Sequence, residues 1–156
     1  MHETIYFDTP KGDSLTQITE QVQEVISQSD VKSGVCFLIV PHTTAAITIN
    51  SYLDPETARD IVSDIRRLVP TRTDFHHIFD TPADAAGHIK ATLTGNSEIV
   101  LIEEGKLVLG HSQGIFLYDF DGPRRRRVLV KIMEDKVRVP PDKPESNEGK
   151  EVSVAS

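Results

Sequence analysis

Hydrophobic positions along this chain follow two periods, and the changes between them mark its elements. Ile5, Tyr6 and Phe7 favour extended structure and predict a strand over Glu3 to Asp8. After a turn at Lys11-Gly12-Asp13, Leu15, Ile18, Val22, Val25 and Ile26 recur at helical spacing. Ser14 followed by Gln17 has capping-box form, so this helix is predicted to open at Ser14. Val35 to Val40 is an unbroken apolar run, as expected of a central strand with both faces covered. Pro41-His42-Thr43-Thr44 interrupts it, and Ala45 to Asn50 resumes as a strand.

Asp54-Pro55-Glu56 is a strong helix start, with Asp as N-cap, Pro at the first position and an acid near the positive helix end. Ala58, Ile61, Val62, Ile65 and Leu68 are its expected buried face, and Pro70 ends it. Thr71 to Asp80 reads as a loop. Thr81-Pro82-Ala83-Asp84 starts another helix, with Ile89 and Leu93 as its core side and Gly95 as its C-terminal cap. Beyond Ser97 the pattern is β. Ile99 to Ile102 and Leu107 to Leu109 flank a turn at Glu103 to Lys106, and Gly114 to Phe120 and Arg127 to Met133 flank a second hairpin turn at Asp121-Gly122-Pro123.

Strands and helices do not alternate regularly. The expected class is therefore α+β, a compact single domain with a mostly antiparallel sheet and three helices, rather than a doubly wound α/β fold. The domain is expected over residues 1–137. Residues 138–156, rich in Pro, Glu, Lys and Ser, are expected to be a disordered tail.

Composition narrows the function. A net charge of −7 argues against general nucleic-acid binding, which needs a broad basic surface. The longest apolar run, Val35 to Val40, is too short to span a bilayer, and the N-terminus lacks a signal-peptide pattern, so a cytoplasmic address is expected. Cys36, the single cysteine, lies inside that run and is expected to be a buried hydrophobe.

Five of the six histidines, His42, His76, His77, His88 and His111, fall in the central part of the chain beside turn signals. Neutral imidazole is a common zinc ligand. On one continuous helix His77 and His88 would be roughly 16 Å apart along the axis. The helix start at Thr81-Pro82 lets His77 fold back instead. Three imidazoles from His42, His77 and His88 would leave an open coordination position, as in catalytic zinc sites. Without HExxH or CxxC the spacing is weak, and surface or hydrogen-bonded histidines fit it as well.

Four consecutive arginines, Arg124 to Arg127, could bind an anion. On a strand, Arg124 and Arg126 would share one face. A solvated arm or a subunit contact explains them equally. Thr43, Thr44 and Asn50 offer polar groups near His42 for substrate binding or for orienting an imidazole. Asp54 and Asp84 have adequate explanations as residues of helix starts.

Pro41-His42-Thr43-Thr44-Ala45-Ala46-Ile47-Thr48-Ile49-Asn50, Gly87-His88-Ile89-Lys90-Ala91, Leu107 to Gly110 and Asp119-Phe120-Asp121-Gly122-Pro123-Arg124 together resemble the YjbQ family, described as secondary thiamine-phosphate synthase enzymes. The resemblance runs from the first strand to Met133. It implies a compact α+β fold and a homotrimer. It places metal-site positions at His42, His77 and His88, with Gly87 where the family has alanine. The Asp-Gly-Pro-Arg turn falls on Asp121 to Arg124, and Asp121 joins His42 and His88 as the expected catalytic set. Gln113, with Thr43, Thr44, Asn50, Arg124 and Arg126, makes up the expected substrate contacts. Ser51 stands where the family has Glu, and Ser112 where it has Trp.

The activity so implied joins hydroxymethylpyrimidine diphosphate to thiazole phosphate with release of pyrophosphate, as a secondary activity, with a divalent metal. Zinc suits the nitrogen ligands; Mg²⁺ would suit the diphosphate. Two other readings are a metal-dependent phosphohydrolase and a noncatalytic trimeric module for a metal or phosphorylated ligand. All three expect a small phosphorylated ligand, and none involves nucleic acid or membrane.

Overall fold

A computed structural model describes residues 1–136, and the tail expected from residue 138 lies outside them. Among these residues the order is β1 (Glu3–Asp8), β2 (Gly12–Gln17), α1 (Thr19–Ser29), β3 (Ser33–Ile39), β4 (Ala45–Ser51), α2 (Pro55–Leu68), α3 (Pro82–Thr94), β5 (Ser97–Glu103), β6 (Lys106–Leu107), β7 (Gln113–Gly122) and β8 (Arg125–Glu134). The strands form a five-stranded sheet, β1-β8-β3-β5-β6, and a three-stranded sheet, β2-β7-β4. Every pairing is antiparallel. The α+β class expected from the element order is the one observed.

The two sheets enclose the main core. Cys36, Leu38, Val100, Ile102, Val128 and Val130 face inward from the larger sheet, Ala45, Ile47, Ile115 and Leu117 from the smaller, and Val22 and Ile26 of α1 join them. Burial pushes the Cys36 thiol up to about 11, as befits an inert packing residue. On the other face of the three-stranded sheet, Ala46, Tyr118 and Phe120 meet Ile61, Val62 and Ile65 of α2 and Ala91 of α3. Those two helices form the third layer. None of the three helices is long and apolar enough to cross a membrane.

Four local expectations are corrected by tertiary partners. Ser14 opens no helix: Gly12–Gln17 pairs with β7, Leu15 opposite Tyr118, and α1 begins only at Thr19. Leu15 and Ile18 share helical spacing, but the first packs beneath α2 and the second in the main core. Leu68 on α2 is exposed. On α3, Ile89 and Leu93 are exposed, while Asp84, Ala85, Ala86, Gly87 and Lys90 are buried. Small residues let that helix lie close to the sheet: a Cβ added to Gly87 would sit 3.2 Å from Thr44 Cβ. Finally, β7 and β8 do not form a hairpin. The turn after Asp121 carries the chain from one sheet to the other, where β8 pairs with β1 and β3. The first expected turn is a true hairpin, with Glu104 and Gly105 both at positive φ, as a two-residue loop favours.

Candidate metal centre and adjoining cleft

The local sequence at the start of α3 builds the centre. Thr81 caps the helix by accepting from the Asp84 N–H at 3.1 Å, with Pro82 as the first helical residue. Asp84 and His88 then stand four residues apart, on one face of the helix. The 71–80 loop returns alongside and brings His77 to the same carboxylate. Asp84 Oδ2 lies 3.0 Å from His77 Nε2 and 3.1 Å from His88 Nε2. The imidazole centroids are 5.1 Å apart in an edge-on arrangement. The three donor atoms lie within 4.8 Å of one another. The Asp84 side chain is 10% exposed, whereas those of His77 and His88 are 41% and 39% exposed, so the centre is held from below and open to solvent above.

Deeper contacts fix the helix beneath it. Lys90 Nζ donates to Asp13 Oδ2 of β2 at 2.8 Å, and both side chains are buried. This pair and the close approach at Gly87 together set the rotation of α3, and so the direction in which Asp84 and His88 project.

His77 and His88 therefore come together as the folding-back of the loop required. His42 does not complete the group. Its Nε2 accepts the Arg127 backbone N–H at 3.0 Å, which commits that nitrogen and leaves the proton of the neutral ring on Nδ1. Burial, followed by the charges of Arg126 and Arg127, holds its pKa below the ordinary value, against smaller opposing effects of the Asp119 charge and the Arg127 hydrogen bond. Asp84 supplies the third atom of the group instead. Its capping-box position hides this placement in the sequence, although the Asp84–His88 spacing of four on a capped helix is the available signal. His76 and His111 are exposed and outside the group.

His42 and His88 do share a cleft. Together with Thr43, Ala45, Ala91, Thr92, Gly95 and Asn96 they line a space of about 460 Å³. Arg124 is not among these lining residues but is near enough to Asp84 to feel its charge. The Arg124 Nη2–Asp121 Oδ2 contact is 2.8 Å, and the Arg124 guanidinium is held more firmly protonated than usual by its hydrogen bond to Asp121 and by that carboxylate's charge, with smaller contributions from Asp84 and Asp119. Asp121, expected among catalytic residues, is thus the partner of Arg124 rather than of an imidazole.

Other expected substrate contacts are drawn elsewhere. Arg126 is buried between the sheets, where it donates to Asp119 Oδ1 at 2.8 Å and to Thr44 Oγ1 at 2.7 Å. Thr9 also donates to the Asp119 carboxylate. Burial pushes the Asp119 carboxyl up, but hydrogen bonds from Arg126, Thr9 and the Asp121 N–H, with the Arg126 charge, outweigh it and bring it below the ordinary value. Arg126 and Thr44 are therefore tied to the structural frame beneath His42. Asn50 and Gln113 lie at the far end of the three-stranded sheet, since β4 runs against β7 from Ala45–Asp119 to Ser51–Gln113. At strand rise, Asn50 is about 20 Å from Thr44. Within the chain their side-chain oxygens accept from Ser51 and Gly110 N–H groups.

The family model described as UPF0047 protein YjbQ-like matches residues 3–135. A UPF0047 protein of Methanocaldococcus jannaschii is 44% identical over 82% of this chain and 91% of its own. The UPF0047 protein YugU of Bacillus subtilis is 34% identical over 85% and 99%. Among solved structures, a YbjQ-like protein of unknown function from Sulfolobus solfataricus superposes with a TM-score of 0.81 at 33% identity, covering 86% of this chain and 97% of that one. A YjbQ/UPF0047 protein from Clostridium acetobutylicum gives 0.79 at 40% identity, covering 84% and 99%. Sequence and fold agree across the described domain, and the chain belongs to the YjbQ-like UPF0047 family.

Proposed function

We propose that this chain is a metal-dependent enzyme acting on a small phosphorylated substrate, with His77, Asp84 and His88 holding the ion. One observation carries the reading: a buried carboxylate placed between two solvent-facing imidazoles at 3.0 and 3.1 Å. Two ligands bound to zinc at 2.0–2.1 Å in tetrahedral geometry are about 3.3 Å apart. The two carboxylate–imidazole separations are close to that, and all three donor atoms lie within 4.8 Å of one another. Two nitrogens and one oxygen suit zinc, or iron in a two-histidine-one-carboxylate site, better than Mg²⁺. Such an ion, when bound, supplies polarisation of a phosphoryl oxygen and a more acidic water.

The chain's own groups then divide the remaining work. Asp84, on the capped first turn of α3, supplies the buried oxygen ligand beside the two imidazole nitrogens. Arg124, whose Nε and Nη2 are taken by Asp121, has Nη1 left to donate to an anionic group near the centre. His42, neutral and with Nδ1 protonated, serves as a hydrogen-bond donor at the cleft rather than as a metal ligand. Hydrolysis of a phosphate ester uses all of these and requires no second substrate. Transfer of the hydroxymethylpyrimidine group to thiazole phosphate is the second reading. The cleft of about 460 Å³ running on from His88 favours it, since that space suits a heterocyclic body beside the charged end.

The test is turnover by zinc-reconstituted protein, read both as phosphate released from a phosphomonoester panel and as thiamine phosphate formed. Loss of either activity in Asp84→Asn, with the fold retained, supports the reading. Metal retained without turnover of any substrate favours a noncatalytic binding module instead.

For the assembly, we propose a homotrimer. The outer face of the five-stranded sheet supports it. Registers place Val35 beside Leu101 and Met133, and Phe37 beside Ile99, with Ile99, Leu101 and Met133 more than half exposed. An apolar sheet face of this extent suits burial against another copy.

A further inference from the structure

We propose that the cleft beyond His88 is the binding site for an uncharged, hydrogen-bonding body of the phosphorylated substrate, with Asn96 and Thr43 as its recognition groups. This deepens the reading of His77, Asp84 and His88 as a metal centre and rests on it.

The cleft is built along one face of α3. His88, Ala91, Thr92 and Gly95 follow at helical intervals and form one wall. Thr43 and His42, from the β3–β4 loop, form the other, with Ala45 beside them. His88 thus belongs to both the metal centre and the cleft. From His88 to Thr94, where the helix ends two residues before Asn96, the rise is about 9 Å. A ligand with its phosphate at the centre can therefore extend a ring and its substituents toward Asn96.

Both walls are held rigidly. Gly95 ends the helix at a φ of 98°, a conformation that favours glycine. Its carbonyl accepts from Ile47 N–H at 3.1 Å, and the Asn96 carbonyl accepts from Val40 N–H at 2.8 Å. The turn after α3 is therefore pinned to both strands that flank the opposite loop. On that loop, His42 is tied to Arg127 and Thr44 to Arg126. Thr92 is committed to the His88 carbonyl at 2.8 Å.

The chemistry of the lining sets the class of ligand. Among the described residues, the lining contains no Asp, Glu, Lys or Arg. The charges nearest the lining are those of the metal centre and of Arg126 and Arg127 behind His42, with Arg126 already paired to Asp119. A second anionic group would find no charged side chain among the lining residues. The Asn96 amide and Thr43 hydroxyl can each donate and accept, which matches hydroxyls, amides or the edge of an aminopyrimidine. Both residues are exposed, so neither substitution removes a core contact.

The test is calorimetric titration of the zinc-loaded protein with inorganic phosphate, ribose 5-phosphate and hydroxymethylpyrimidine phosphate. The proposal expects at least one ester to bind about tenfold more tightly than phosphate, as one or two hydrogen bonds to an uncharged body supply. Asn96→Ala and Thr43→Val are each expected to reduce that advantage about three- to tenfold and to leave phosphate affinity unchanged. Phosphate binding with both esters within threefold of it overturns the cleft proposal and leaves the metal centre standing. Variants that retain the full ester advantage overturn it too. Absence of phosphate and ester binding overturns both.

Discussion

Arg126 provides a sharp separation of scaffold from site. In Arg126→Met the guanidinium is lost from a position 7% exposed, while its partner Asp119 is fully buried. Asp119 keeps Thr9 and the Asp121 N–H but loses its counter-charge, and Thr44 Oγ1 loses a donor at 2.7 Å. Removing one member of a buried pair costs about 3–5 kcal/mol, because the other charge remains uncompensated. At about 2–4 °C per kcal/mol for a domain of this size, Tm falls by roughly 6–20 °C at pH 7. The pH dependence gives an independent check. In the parent protein the Asp119 pKa is below its ordinary 3.8, so its contribution is present above that value and is lost as pH falls through the folded pKa. Without Arg126, burial dominates and raises the pKa, so protonation relieves the variant. The deficit should therefore be greatest at pH 7 and narrow toward pH 4. Thermal unfolding followed by circular dichroism at both pH values measures it. Replacing both partners, as in Arg126→Met with Asp119→Leu, should recover much of the loss. A deficit under about 1 kcal/mol, or one independent of pH, would refute a buried structural pair and return Arg126 to the candidate substrate contacts.

Three further outcomes follow from the same packing. Gly87→Ala places a methyl 3.2 Å from Thr44 Cβ and 3.3 Å from its Cγ2, so Tm should fall by a few degrees, corresponding to about 1–3 kcal/mol of overpacking; an unchanged Tm would show that α3 can shift freely. The His42 ring, followed by NMR, should titrate below 6.5, and a midpoint at or above that value would contradict its burial beside Arg126 and Arg127. Ile99→Lys puts a charge on the exposed sheet face and should convert a trimer to monomer in light scattering; a trimer of unchanged stability would move the interface elsewhere.

Local signals were sufficient where one residue decides a backbone state. Asp54 caps α2 by accepting from the Glu56 N–H, Thr81 caps α3, and Gly95 closes it. They failed where a distant partner decides. Leu15 and Ile18 have helical spacing, yet β7 draws the first into a strand. Apolarity selected Ile89 and Leu93 for the buried side of α3, but Gly87 fits against Thr44 and Lys90 pairs with Asp13, contacts that no local pattern records. The candidate site divides in the same way. The chain break at Thr81-Pro82 made a meeting of His77 and His88 legible. Capping alone accounts for Asp84 in the sequence, and nothing local reveals the Arg127 N–H that takes His42 Nε2.

The most direct test of the metal centre is anomalous diffraction at the zinc edge, from crystals of protein purified without chelators and supplied with zinc. The account predicts a peak about 2.1 Å from His77 Nε2, Asp84 Oδ2 and His88 Nε2, with His42 still accepting from Arg127. No peak at the three residues, or a peak coordinated by His42 in place of Asp84, would contradict it.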